Sequence, residues 1–218
     1  IVQVFKQMSD VYADGERVYA QAGALLSKTA AVACEASLTG MEFASGIPGT
    51  LGGALRMNAG AYGGEMKQIV ESAEVLTSEG EVLNLTNEEL GMGYRTSVIA
   101  KNDYVALSAV LKLEKGDRQE IRAYMEDLKE RRVTKQPLEF GSAGSTFKRP
   151  EGYFAGKLIQ DSGMQGYRVG DAQVSEKHCG FVINRGNATA AEVMQLMKDV
   201  ADRVEEKFGV RLEPEVRR

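Results

Sequence analysis

The chain has 218 residues, 43% of them hydrophobic and 27% charged, with a formal net charge of −4. That composition supplies a real core and a charged surface, and it argues against a general binder of nucleic acid or of anionic membrane. A single histidine, two cysteines outside any C-x-x-C and no bilayer-length apolar run leave no basis for expecting a structural metal site or a membrane span.

Ile1 to Phe5 reads as a strand already under way, and Leu212-Glu-Pro-Glu-Val-Arg-Arg218 stops as another forms, so a piece of a longer protein is expected. Arg17 to Gln21 reads as a strand. Ala24 to Leu38 reads as a helix closed by Gly40. Cys34 within it and Cys179 later sit in apolar or mixed settings, which predicts buried, reduced thiols and a cytoplasmic protein.

The stretch from Ser45 to Gly64 is the most unusual. It contains Gly46, Gly49, Gly52, Gly53, Gly60, Gly63 and Gly64. Glycine at this density costs backbone entropy, so it marks unusual dihedrals or close approach of backbone to a flat or anionic ligand. Pro48 can open a short helix from Gly49 to Met57, which would leave glycine N–H groups at its start as an anion site. The spacing G-x-x-G-x-x-G is not the dinucleotide fingerprint, and no Gly-Lys-Ser/Thr follows. A purely structural turn cluster accounts for the same residues.

Ile69 to Leu76 and Glu81 to Leu85 read as strands joined by a turn at Ser78-Glu-Gly80. Thr86-Asn-Glu-Glu89 is a capping-box signature for a short helix. Arg95 follows and, taken alone, reads as an ordinary surface charge, as does Glu215 near the end. Tyr104 to Leu113 alternates as a strand. Asp117 to Lys135 is amphipathic, with Ile121, Tyr124, Met125 and Leu128 on one face.

Gln136 to Pro150 breaks the pattern and marks a domain boundary. Within it, Gly141-Ser-Ala-Gly-Ser-Thr-Phe-Lys-Arg-Pro150 exposes backbone, hydroxyls and two cations, a combination suited to a diphosphate ligand and equally to a solvated polar loop. Phe154 to Asp161 reads as a short helix ended by Gly163, and Phe181 to Asn184 as a strand. His178 has no Gly-x-Ser-x-Gly elbow to serve, and its neighbour Cys179 would point to the other face of a strand. The last helix is the clearest. Thr189 and Glu192 form a capping box, Val193, Leu196, Met197, Val200, Val204 and Phe208 form the stripe, and Gly209 stops it. Alternating strands and helices place the chain among the α/β or α+β folds.

Six segments together resemble one family. They are Gly46-Ile-Pro-Gly-Thr-Leu-Gly-Gly53, Met57-Asn-Ala-Gly-Ala-Tyr-Gly63, Tyr94-Arg95, Gly144-Ser-Thr-Phe-Lys-Arg-Pro150, Ala172-Gln-Val-Ser-Glu-Lys-His178 and Leu212-Glu-Pro-Glu-Val216. In this order they are similar to the UDP-N-acetylenolpyruvoylglucosamine reductases, flavoenzymes of peptidoglycan precursor synthesis. The resemblance implies an α+β protein. An FAD-binding domain of vanillyl-alcohol-oxidase type would span 1–135 and 210–218, and a smaller α+β substrate domain 136–209. It implies FAD as cofactor, NADPH as reductant and UDP-N-acetylglucosamine enolpyruvate as substrate.

By the same resemblance Ser145 would be the proton donor, while Arg95 and Glu215 would hold and polarise the substrate carboxylate. Gly46, Ile47, Pro48, Gly49, Thr50, Gly52, Gly53, Asn58, Ala59, Gly60 and Tyr62 would line FAD. Lys148 and Arg149 would meet the substrate diphosphate. The short interval from Arg95 to Ser145 is similar to the subgroup without an extra substrate-covering loop, and the family's N-terminal Gly-Ser-Asn type flavin loop is not in this sequence. Two other readings stand beside this one: a fragment that binds a UDP-sugar without flavin, and a related FAD oxidoreductase with another substrate.

Overall fold

The structure, a computed structural model, describes residues 5–216. The chain divides into two units, one running to Arg131 and one starting at Arg132. The strand expected over residues 1–5 lies outside the described residues, apart from Phe5, which is in a turn.

In the first unit, β1 (Val11–Asp14) and β2 (Arg17–Gln21) form a hairpin across Gly15-Glu16, with Gly15 at φ +59°. Glycine at the first position of a two-residue loop takes the positive φ that such a tight reversal needs. Three more strands, β3 (Val70–Leu76), β4 (Val82–Thr86) and β5 (Val105–Lys112), complete an antiparallel sheet in the order β1-β2-β5-β3-β4. Its inner face is small and apolar. Val18 pairs with Leu111, and Ala20 and Ala73 both pair with Ala109, all of them buried.

Against that face lie α1 (Leu26–Glu35) and α2 (Leu51–Met57). Small residues let α2 approach closely: a Cβ on Gly52 would come within 3.0 Å of the Ala22 Cβ and 3.6 Å of the Ala106 Cβ. The outer face is polar, with Tyr12 and Tyr19 stacked at 4.9 Å across the hairpin and the Ser108 hydroxyl donating to Glu74. A groove of about 700 Å³ runs over it.

Two expected helices change. The one over 24–38 is confined to α1, because Ser37 turns left-handed at φ +56° and Leu38–Thr39 pairs with Glu114–Lys115. The Thr86–Glu89 box forms, the Glu89 carboxylate accepting the Thr86 N–H at 2.8 Å, but it closes only a turn before Gly91 reverses at φ +50°. One further helical turn, α3, spans Val98–Lys101.

Helix α4 (Arg118–Lys135) crosses the division between the units in its last turn. Ile121 and Leu128 are buried, while Tyr124, expected on the same stripe, is exposed.

The second unit has an antiparallel sheet of β6 (Gly141–Ser145), β7 (Arg168–Val169), β8 (Ala172–Val174) and β9 (Phe181–Asn184) in the order β6-β9-β8-β7. Helices α5 (Ala155–Asp161) and α6 (Ala190–Phe208) supply much of its core, with Leu158, Ile159, Leu196, Val200 and Val204 at its centre. The Thr189–Glu192 box closes in both directions, and Gly209 ends α6 at φ +66°. On α6, Ala201 takes a buried place, while Phe208 reaches solvent.

The domain limits differ from the expectation in two respects: the division falls after Arg131 and not after Lys135, and the end of the chain changes sides. Residues 210–216 belong with the second unit and not with the first. Leu212 is buried in its core, Pro214 bridges Phe147, and the Lys148 N–H donates to the Glu213 carbonyl at 2.8 Å. Residues 141–145, expected as a loop, are a sheet strand with a bulge between Ser142 and Ser145.

Candidate functional site

The glycine run is not uniform. Gly52, Gly60 and Gly64 are packing glycines. A Cβ on Gly60 would fall 2.7 Å from the Gly64 carbonyl, and one on Gly64 would fall 2.5 Å from the Phe43 ring. Gly49 and Gly63 face open space, and a Cβ on Gly53 would meet only Thr50 Oγ1 at 3.9 Å. Those three leave bare backbone on the surface, with Pro48, Thr50 and the half-buried Gly46 and Ile47 beside them. Bare backbone of this kind admits a flat or anionic ligand at contact distance.

The start of α2 corrects one expectation. The Leu51 N–H donates to the Ala24 carbonyl and the Gly52 N–H to the Ala22 carbonyl, both at 2.8 Å. These two donors stitch α2 to the chain after β2, so they do not serve as an anion site.

At the far end of α2, Asn58 is buried in the left-handed region at φ +43°. Asparagine tolerates that conformation better than most residues. Its Nδ2 donates to Glu65 at 3.1 Å and to the Gly93 carbonyl at 3.2 Å, and its Oδ1 accepts the Lys67 N–H at 2.9 Å. Ala59 leads into the short pairing of Gly60–Ala61 with Gly64–Glu65, at whose tip Tyr62 sits at φ +53°.

Gly93 belongs to the turn that carries Arg95. Gly93 and Thr96 exchange N–H to carbonyl bonds at 3.0 and 3.2 Å, and Arg95 between them sits at φ +55° with its guanidinium 5.5 Å from the Tyr94 ring centroid. The buried Ser97 hydroxyl donates to the Arg56 carbonyl at 2.9 Å. Asn58 and Ser97 thus tie the Arg95 turn to the end of α2.

In the second unit, Ser145 ends β6, exposed, opposite Phe181. The next residue, Thr146, is buried and bonded through both main-chain groups and its hydroxyl oxygen. Its N–H donates to the Gly180 carbonyl at 2.9 Å, its Oγ1 accepts the Val182 N–H at 3.0 Å, and its carbonyl accepts the Glu215 N–H at 2.9 Å. One residue therefore fixes both Ser145 and Glu215, and the structure brings those two together in this unit. Arg95 is carried by the other. Thr146 gave no signal in the sequence beyond its place between Ser145 and Phe147.

Both candidate cations are engaged. Lys148 pairs with Glu213, and Arg149 lies 3.9 Å over the Phe154 ring with its Nε donating to the Tyr153 carbonyl. His178 and Cys179 lie in a turn and not on a strand, so the opposite-faces argument does not apply. Burial holds the His178 pKa below its ordinary 6.5 and pushes the Cys179 thiol up. Among the described residues no three His, Cys, Asp or Glu gather as a metal site, and no helix is long and apolar enough to cross a membrane.

Comparison with known proteins covers both units. Residues 136–218 match the family model for the UDP-N-acetylenolpyruvoylglucosamine reductase C-terminal domain, and residues 1–86 match an FAD binding domain. The UDP-N-acetylenolpyruvoylglucosamine reductase of Agathobacter rectalis is 59% identical over 92% of this chain, which spans 64% of that relative's length. The same-named protein of Alkaliphilus oremlandii is 59% identical over the full chain, which spans 71% of it. The crystal structure of UDP-N-acetylenolpyruvylglucosamine reductase from Thermus caldophilus superposes with a TM-score of 0.79 at 39% identity, covering 91% of this chain and 71% of that one.

Proposed function

The chain belongs to the UDP-N-acetylenolpyruvoylglucosamine reductase family, whose cofactor is FAD, and on that premise we propose that it carries out part or all of that reduction. The substrate would be UDP-N-acetylglucosamine enolpyruvate, the reductant NADPH, the product UDP-N-acetylmuramate for peptidoglycan, and the place the cytoplasm. The observation that carries the reading is Thr146, which holds Ser145 and Glu215 in one hydrogen-bonded junction.

The bare backbone at Gly49, Gly53 and Gly63 fits FAD, with Gly46, Ile47, Pro48, Thr50, Gly52, Asn58, Ala59, Gly60 and Tyr62 around it. FAD would supply the two-electron chemistry between NADPH and the enolpyruvyl double bond. The protein's part is charge and proton. Reduction of a double bond conjugated to a carboxylate develops negative charge on that carboxylate, which positioned donors must stabilise. Arg95 would present its fork of N–H donors to the carboxylate, and Glu215 would polarise it. The Ser145 hydroxyl would hold the proton for the adjacent carbon. Its exposed place at the end of β6 leaves it open to a ligand, while Thr146 beneath keeps its backbone fixed. Lys148 and Arg149 would bind the diphosphate, Lys148 exchanging Glu213 for the ligand.

Titration of the 218-residue chain with FAD, read by quenching of flavin fluorescence, tests this. Saturable binding followed by NADPH oxidation that depends on the enolpyruvyl sugar is expected. UDP-sugar binding without flavin binding would instead favour a flavin-free fragment. Flavin reduction by NADPH that the enolpyruvyl sugar does not reverse would favour an oxidoreductase of another substrate.

A further inference from the structure

We propose that His178 is a positioning residue for Ser145 and Glu215, acting through Gly180 and Thr146. The inference rests on the roles assigned to Ser145 and Glu215 above.

The turn from Ser175 to Phe181 is closed on itself. The Ser175 hydroxyl accepts the N–H groups of Lys177 and His178 at 3.2 Å, the Ser175 N–H donates to the Phe181 carbonyl at 2.9 Å, and the Phe181 N–H donates to the His178 carbonyl at 3.0 Å. Within that frame the imidazole folds back onto the chain. Its Nδ1 accepts the Gly180 N–H at 3.1 Å, which fixes Nδ1 as the unprotonated nitrogen. From Gly180 the order passes onward, carbonyl to Thr146 N–H, then Thr146 carbonyl to Glu215 N–H, each at 2.9 Å. Phe181, the strand partner of Ser145, meets the imidazole edge-on at 5.0 Å.

Two glycines make room for the ring. A Cβ on Gly180 would lie 2.9 Å from the imidazole Cε1, and one on Gly156 of α5 would lie 3.4 Å from it. The neighbours shown against the ring, Gly156, Gly180 and Phe181, are uncharged, and burial keeps the thiol of Cys179, next in the chain, in its neutral form. The charged residues next to it in sequence are turned to other work: Lys177 donates to the Val133 carbonyl and pairs with Glu139, and Glu176 lies beside Gly166. The side chain therefore interacts with the turn through the Gly180 N–H and through packing. Neutral, it accepts that N–H; protonated at Nδ1, it loses that acceptor.

Because the chain has one histidine, the imidazole signal in a proton NMR spectrum is unambiguous. The test follows it together with the amide signals of Gly180, Thr146 and Glu215 as the pH of the wild-type chain is lowered. The relay requires the Gly180 and Thr146 amides to shift with the same midpoint as the imidazole. Amides that stay fixed while the imidazole titrates would overturn it. In turnover, H178N, whose amide oxygen can replace Nδ1, should keep kcat near wild type. H178F should lower kcat on the order of tenfold at unchanged KM, since small misplacements of reacting groups carry penalties of that size or more. Equal kcat in H178N and H178F would also overturn it. The amide readout needs no turnover, so coupling seen in a chain that lacks reductase activity would count against the assigned reaction and not against the relay.

Discussion

Glu215 and Thr146 are joined backbone to backbone, the N–H of the first donating to the carbonyl of the second at 2.9 Å. This bond brings the end of the chain to the residue after Ser145. It makes the tail part of the second unit's fold, and it gives the proposed proton donor and the proposed carboxylate partner a common support.

Replacing Thr146 with valine keeps the volume but removes the acceptor of the Val182 N–H. A buried N–H left unsatisfied costs about 1–3 kcal/mol, and the part-buried Val182 N–H should lie at the low end, about 1 kcal/mol. Chemical denaturation should show a loss of that size, and the Glu215 amide should become less protected from hydrogen exchange. Unchanged stability would mean that the hydroxyl contributes little to the junction.

Ser145→Ala removes the proposed proton donor from an exposed position and should leave the fold intact. In rapid-reaction measurements, NADPH should still reduce the flavin at the wild-type rate, while reoxidation by the enolpyruvyl sugar should slow by about 10²-fold or more. Wild-type reoxidation would remove Ser145 from the mechanism.

The two kinds of glycine should separate on substitution. Gly64→Ala puts a Cβ 2.5 Å from the Phe43 ring and should destabilise the first unit by roughly 1–3 kcal/mol, read by denaturation. Gly53→Ala meets only Thr50 Oγ1 and lies inside α2, so it should stabilise the helix by about 0.5–1 kcal/mol. The same methyl should weaken FAD affinity, because it fills backbone surface proposed to meet the cofactor. Equal FAD affinity in Gly53→Ala and wild type would place the cofactor elsewhere.

The pH dependence of the second unit should carry the mark of His178. Burial lowers its pKa in the folded state below the ordinary 6.5, so the unfolded chain binds the proton more tightly. The stability this contributes is complete above pH 6.5 and is lost as pH falls through the lower folded value. Denaturation midpoints measured downward from pH 7 should fall in the wild type and fall less in H178N. Parallel pH profiles would show that His178 is not the titrating group.

The sequence was most legible where periodicity and capping are local. Thr189, Glu192 and Gly209 bracket α6 almost to the residue, and the strands at Arg17–Gln21 and Phe181–Asn184 fall where alternation and turn residues put them. Where a segment depends on distant partners the reading weakened. Gly141–Ser145 has no strand-forming side chains, and it is a strand because Phe181–Asn184 pairs with it. The Thr86–Glu89 box gave its local hydrogen bonds but no helix, because Gly91 turns the chain away. The same division runs through the candidate site. Glycine density marked the Gly46–Gly64 run, but only the packed neighbours separate Gly49, Gly53 and Gly63 from Gly52, Gly60 and Gly64. Arg95 and Glu215 looked like plain surface charges outside the family resemblance, since a left-handed turn and a tail bonded to Thr146 are properties of the folded chain.

Asn58 closes α2 and, through a single carboxamide, holds Glu65, Lys67 and Gly93. Few other side chains combine a left-handed backbone with donors and an acceptor at that reach. Mutational drift at this position would therefore disturb the Gly60–Tyr62 loop and the Arg95 turn at once, and of its three partners only Glu65 offers a side chain that can adapt, since Lys67 and Gly93 contribute main-chain groups. Position 58 should be among the slowest in the chain to diversify, and a change there should be accompanied by one at 65.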